Sequence, residues 1–80
     1  MSRRDKLIAR ILARPPQADF DDVRAVLEEF GWVLARERGS HCTFAKPGEY
    51  PIIVPKVGGR KVKRVYLDMI CDRLGLDDYS

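Results

Sequence analysis

Histidine occurs once in these 80 residues, as His41, within the stretch Arg36-Glu37-Arg38-Gly39-Ser40-His41-Cys42-Thr43-Phe44. Imidazole gains and loses a proton near neutral pH more readily than any other side chain. One imidazole with cations beside it is the smallest set of groups that metal-free RNA cleavage needs. It takes a proton from a ribose 2′-OH or gives one to the 5′-oxygen leaving group, while Lys or Arg stabilises the charged phosphorane. Taken alone, an exposed histidine is more often incidental than catalytic.

Few other reactive sets occur in the sequence. Cys42 and Cys71 lie in apolar patterns, and together with one histidine they do not make up a plausible zinc site. Ser40 and His41 are adjacent on an extended segment and point apart, which argues against a Ser-His nucleophile pair. No phosphate-binding or dinucleotide fingerprint is present. We therefore expect no metal or cofactor, and we interpret both cysteines as small buried hydrophobic residues.

The segment that carries the histidine predicts a β-hairpin. Trp32–Arg36 alternates like a strand, Gly39-Ser40 is a tight turn, and the chain returns antiparallel over Cys42–Ala45. Because side chains alternate between the two faces of a strand, Phe44 should point into the core. His41, an odd number of positions away, should then lie on the open face.

Two helices are predicted before this hairpin. The first spans Arg3–Arg14, where apolar residues recur at helical spacing; Ser2 and Asp5 have the spacing of a capping box. Pro15-Pro16 stops it. The second begins with an aspartate N-cap and spans Asp19–Phe30, with a glycine directly after it.

A third strand and a final helix are predicted after the hairpin. The strand spans Tyr50–Val54, with prolines that fix its ends, and the helix spans Lys61–Leu74. Gly58-Gly59 and the nearby cations would let backbone amides at the start of this helix approach a phosphate, although such a turn is also an ordinary connection. We expect Asp77–Ser80 to fray. The predicted fold is one α+β domain, α-α-β-β-β-α, with the helices on one face of a three-stranded antiparallel sheet.

The charges are unevenly placed along the chain, whose net charge is +3. Acidic residues gather at 19–29 and 68–78, and cations gather between them around the predicted sheet. One basic surface favours a polyanion such as nucleic acid, and a solvated charged rim is the alternative. The candidate substrate-binding cations are Arg36, Arg38, Lys46, Lys56, Arg60, Lys61 and Lys63. Of these, Lys46 or Lys56, or else water or the substrate itself, would complete the proton transfer opposite His41.

The longest apolar piece near the N-terminus is Leu7-Ile8-Ala9. It is too short for a signal peptide or a membrane-spanning segment, so we expect a cytoplasmic protein without a membrane partner.

Several short runs resemble the HicA family of bacterial toxins over about Val23 to Leu76. They are Gly31-Trp32, Arg38-Gly39-Ser40-His41, Phe44, Ile53-Val54-Pro55, Gly58-Gly59-Arg60-Lys61-Val62-Lys63, Leu67, Ile70 and Gly75-Leu76. The resemblance implies a fold like that of a double-stranded-RNA-binding domain, with a HicA-like core over 19–76 and an N-terminal helical extension over 1–16. It also implies a small mRNA-cleaving toxin that is neutralised by a partner antitoxin, HicB.

By similarity, His41 takes the place of the family's active-site histidine, and Gly39 and Ser40 that of the turn that presents it. The chain departs from its relatives at Asp68, where a basic residue is common, and at Val65-Tyr66, where Gly-Thr is common. The function predicted from the residues and the resemblance together is metal-independent endoribonuclease activity on mRNA, restrained by a HicB-like antitoxin. Two alternatives remain open: a non-catalytic RNA-binding module that uses the same basic face, and a protein-interaction domain whose patch meets only an acidic partner.

Overall fold

A computed structural model describes residues 2–78 of the chain. Its elements in order are α1 (Arg3–Leu12), β1 (Gln17–Asp19), α2 (Phe20–Glu29), β2 (Val33–Arg38), β3 (His41–Ala45), β4 (Ile52–Pro55), β5 (Lys61–Lys63), α3 (Arg64–Leu74) and a 3₁₀ turn at Leu76–Asp78. The predicted α+β class with a three-stranded antiparallel sheet is confirmed. No helix within residues 2–78 is both long enough and apolar enough to cross a membrane.

The central sheet has the order β2-β3-β4, and all of its pairs are antiparallel. Phe44 lies between Leu34 and Ile52, and it is fully buried in the core that the helices form with this face of the sheet. Its ring centroid is 6.1 Å from that of Phe20 on α2. His41 is exposed. The alternation predicted for the strand after the turn is therefore confirmed.

Helix α1 begins and ends where its local chemistry requires. The Ser2 side chain accepts a hydrogen bond of 3.1 Å from the backbone N–H of Asp5, as the capping spacing predicted. The helix ends at Leu12, two residues before the predicted Arg14. Arg14 has left the helical region, with φ at 48°, and Pro15 follows it; the residue before a proline is sterically disfavoured in helical geometry.

Arg14 joins the N-terminal segment to the C-terminal end of the described chain. Its Nε lies 2.6 Å from Oδ1 of Asp68, and its Nη2 lies 2.8 and 2.9 Å from the two carboxylate oxygens of Asp77. The hydrogen bond to Asp77 raises the pKa of the Arg14 guanidinium. The prediction of a frayed tail is therefore wrong for residues 77 and 78, which form the 3₁₀ turn, while residues 79 and 80 lie outside the described part.

The predicted start of the last helix is wrong. Lys61–Lys63 forms β5, which pairs antiparallel with β1, so that Val62 lies opposite Ala18 and the helix begins only at Arg64. Val62 is buried between two exposed lysines, which is the alternation of a strand. Three residues are too few for their period to be recognised without the partner strand, and β1 is equally short.

This correction moves the glycine pair away from the helix. Gly58 and Gly59, at φ 54° and 88°, form a turn that Val57 and Lys61 close with backbone hydrogen bonds of 2.8 and 2.9 Å. The first backbone N–H of α3, that of Arg64, donates to Pro16 in the segment before β1. The glycine pair therefore does not lie at the start of a helix, and the alternative of an ordinary connection fits its position.

Helix α1 contributes to the same core as the central sheet. Leu7, Ile8 and Ile11 are buried in one cluster with Phe44. We expect Ile11→Ala to lower the free energy of unfolding by about 2–5 kcal/mol, because truncating a buried aliphatic side chain leaves a cavity. Urea denaturation measures this loss. The control Lys6→Ala, at an exposed position of the same helix, should stay within about 0.5 kcal/mol of the parent; equal, small losses for both variants would contradict this packing.

Candidate functional site

The candidate site lies on the face of the central sheet opposite the core. We call this the outer face, formed by Val33, Arg36, Arg38, His41, Thr43, Ala45, Ile53 and Pro55. Its residues align in rows across the three strands, because directly paired residues share a face. In the first row, His41 lies between Arg38 and Pro55. In the second row, Thr43 lies between Arg36 and Ile53.

A β-bulge decides which side chains of β2 belong to this face. The pairing shifts between Leu34 and Arg36. As a result Arg36, and not Ala35, pairs with Thr43. Regular alternation from the inward Leu34 would have turned both arginines of β2 toward the core. The extra residue, Ala35, reverses the alternation and places both of them on the same face as His41.

The turn that presents the histidine is held in place by the strands on both sides of β3. Gly39 has φ at 58°, a left-handed conformation that glycine adopts without steric cost. The carbonyl of Ser40 accepts a hydrogen bond of 2.8 Å from the backbone N–H of Lys56, which ties the turn to the end of β4. The backbone around His41 is thus fixed by β2 on one side and by β4 on the other.

Arg36 and Arg38 are the cations that share a face with His41. Both are exposed, and neither forms an ion pair with any of residues 2–78. Their charges are therefore available to an anion that approaches the outer face.

Two lysines predicted near the histidine point elsewhere. The Nζ of Lys56 lies 3.1 Å from Oε2 of Glu37 and 4.9 Å from the ring centroid of Phe20, and Glu37 pairs with the inward Cys42. The Lys56 amine is therefore on the core side of the sheet. Lys46 lies five residues along the chain from His41, about 16 Å at the rise of a strand. Its Nζ donates to the carbonyl of Phe30 at 2.8 Å and so caps the end of α2.

The remaining predicted cations belong to the two-stranded sheet and the turn before it. Arg60 forms an ion pair with Asp21, and Lys61 forms one with Asp19. The hydrogen bond from Lys61 lowers the pKa of the Asp19 carboxyl. Lys63 is exposed and has no ion pair within the described residues. The cations expected to form one basic surface are thus divided, and two of them face acids of the segment 19–29.

The model of the family described as "HicA toxin of bacterial toxin-antitoxin" matches residues 20–76, most of the 80-residue chain. The chain belongs to the HicA toxin family. This membership supports a toxin role within a toxin-antitoxin system and implies an antitoxin as partner. No curated protein and no solved structure matches the chain at a significant level.

The two cysteines of this HicA chain are structural. Both are buried and unpaired, as predicted. Burial raises the pKa of both thiols, so neither is available as a thiolate nucleophile. Within residues 2–78, no three His, Cys, Asp or Glu side chains come together as a set that could hold a metal ion.

Reasoning from the sequence did not name Thr43, Ile53 or Pro55 as site residues. The alternation along β3 already places Thr43 on the face of His41, because the two residues are two positions apart. The positions of Ile53 and Pro55 depended on the register between β3 and β4, which places Ile53 opposite Thr43 and Pro55 opposite His41.

Proposed function

We propose that this HicA toxin is a metal-independent endoribonuclease that cleaves mRNA in the cytoplasm, with His41 as its catalytic residue, and that a HicB-like antitoxin inhibits it. The observation that carries the proposal is the first row of the outer face, where exposed His41 stands next to Arg38. An accessible imidazole and an accessible guanidinium are the two groups that metal-free cleavage of a phosphodiester needs.

The chemistry follows from these two groups. One ring nitrogen of His41 takes the proton of a ribose 2′-OH, and the oxygen attacks the neighbouring phosphorus. Arg38 donates hydrogen bonds to the non-bridging oxygens, on which charge accumulates in the phosphorane. The bond from phosphorus to the 5′-oxygen then breaks, leaving a 2′,3′-cyclic phosphate and a 5′-hydroxyl. The leaving oxygen takes its proton from water or from the RNA, because the amines of Lys46 and Lys56 are held away from the outer face.

RNA binding on this face should depend on the two arginines of β2. We expect Arg36→Ala and Arg38→Ala each to weaken the binding of all RNA sequences alike, since phosphate contacts position a nucleic acid without reading it. Each substitution should also lower the slope of log affinity against log salt concentration by about one. Fluorescence anisotropy with a labelled single strand measures both quantities.

The matched controls for this measurement are Arg60→Ala and Lys61→Ala. Asp21 and Asp19 already engage these cations, so their loss should change the salt slope less. Lys63→Ala tests whether the RNA also reaches β5, because Lys63 has no ion pair within the described residues. If the salt slope were unchanged in both Arg36→Ala and Arg38→Ala, the outer face would be a solvated charged rim and not an RNA-binding surface.

Expression of the chain, with and without the neighbouring open reading frame, tests the proposed function. We expect expression to arrest growth, cellular mRNA to be cut, and a HicB-like neighbour to restore growth. Purified protein should convert acid-insoluble RNA to soluble fragments at the same rate with and without EDTA. RNA binding without any such loss would instead support the non-catalytic module, and absence of RNA binding would support the protein-interaction domain.

A further inference from the structure

The second row of the outer face is directly adjacent to the proposed catalytic row. Thr43 follows His41 on the same face of β3 at a distance of two residues, roughly 6.6 Å along the strand. Arg36 lies to one side of Thr43 and Ile53 to the other. A nucleotide neighbouring the one that His41 attacks would therefore meet these three side chains.

The three side chains offer different contacts. Arg36 is exposed and has no ion pair within residues 2–78, so its planar guanidinium is available to stack on a base. Ile53 is 52% exposed and offers an apolar surface. Thr43 is half-buried, and its hydroxyl forms no hydrogen bond with another described side chain. A hydroxyl both donates and accepts, so it can pair with the edge of a base.

Charge favours RNA over a protein as the occupant of this row. An apolar side chain on an open sheet face also suits a protein partner, but here both cations of the face lack ion pairs within the described residues. Accessible arginines attract a polyanion, and single-stranded RNA is recognised through stacking on side chains and hydrogen bonds to base edges.

We propose that Arg36, Thr43 and Ile53 form a nucleobase-binding row that holds the nucleotide next to the scissile phosphate and sets the base preference of cleavage. This inference rests on the proposed function, since it takes the outer face as the site of RNA binding. Arg36 and Ile53 contact the face of the base, and Thr43 contacts its edge. The first row performs the reaction, and the second row determines which nucleotide is presented to it.

An abasic scan tests this division. The probe is a set of short labelled RNA single strands in which one abasic nucleotide moves through every position, and the protein is His41→Ala, which binds without cutting. We expect one position at which the abasic nucleotide weakens binding about tenfold, because the stacking of that base is lost. In the double variants His41→Ala/Ile53→Ala and His41→Ala/Thr43→Val, an abasic nucleotide at that position should weaken binding no more than one at any other position.

The control His41→Ala/Val65→Ala removes another exposed aliphatic side chain, one that lies on α3; it should retain the full abasic effect. Circular dichroism checks that every variant is folded. Two results would show that the row does not recognise a base: RNA binds but an abasic nucleotide weakens binding equally at every position, or the Ile53 and Thr43 variants keep the one sensitive position. Either result makes the inference wrong, while the proposed function stands. If RNA does not bind at all, both are wrong, and the outer face is assigned to a protein partner.

Discussion

The His41→Ala protein should cleave RNA about 10² to 10⁴-fold more slowly than the parent, because a positioned general acid or base contributes about that much. RNA binding should persist, since Arg36 and Arg38 remain on the outer face. The fold should also persist, because the side chain is exposed and contributes little packing. Single-turnover assays in EDTA measure the rate.

Two controls make the result specific to the imidazole. Val65→Ala, at an exposed position on α3, should cut at the parental rate. His41→Gln keeps hydrogen-bonding capacity without the ability to exchange a proton near neutral pH, and it should be as slow as His41→Ala. If the folded alanine variant, free of contaminating nuclease, cut at the parental rate and remained equally toxic to cells, the catalytic role of His41 would be refuted.

Replacing Phe44 by alanine should lower the free energy of unfolding by about 3–5 kcal/mol. Phe44 is fully buried, lies between Leu34 and Ile52 in the central sheet, and packs against Phe20 of α2. Its removal leaves a cavity where sheet and helix meet. A loss of this size is a large part of the roughly 5–15 kcal/mol by which a typical domain is stable.

Urea denaturation followed by tryptophan fluorescence measures this loss, since Trp32 is buried in the same core. Tyr50→Ala is the matched control, because Tyr50 is 86% exposed, and its truncation should cost no more than about 0.5 kcal/mol. Equal stabilities of the two variants would contradict the assignment of Phe44 to the core.

The position of the histidine could be predicted because it depends on local pattern alone. A glycine-serine turn between two alternating segments defines a hairpin, and the apolar Cys42 and Phe44 identify the inner face. His41 must then point outward, as the structure shows. The start of α1 was predictable for the same reason, since its cap needs only two residues of the same turn.

The composition of the outer face could not be predicted in this way. The bulge at Ala35 leaves no distinctive residue in the sequence, yet it decides that Arg36 and Arg38 share a face with His41 and that Glu37 lies on the opposite face. A bulge is a property of the pairing between strands, so it appears only when the register is known.

Ion pairs between residues that are distant in sequence could not be predicted either. Arg60 and Asp21 are separated by 39 residues, and Arg14 and Asp68 by 54. Composition shows clusters of like charge but not which clusters face each other. The carboxylate of Asp68 binds an arginine that lies before the matched residues 20–76, so this contact crosses the boundary of the matched region.

One measurement tests most directly whether the outer face cleaves RNA through the 2′-hydroxyl. The substrate is a DNA oligonucleotide that contains one ribonucleotide, incubated with the parental protein in EDTA, and the products are identified by mass spectrometry. We predict a single cut, directly 3′ of the ribonucleotide, that leaves a 2′,3′-cyclic phosphate and a 5′-hydroxyl and that is absent with His41→Ala. Cutting of the all-DNA oligonucleotide, a linear 5′-phosphate product, or cleavage of RNA that stops when EDTA is added would contradict the account.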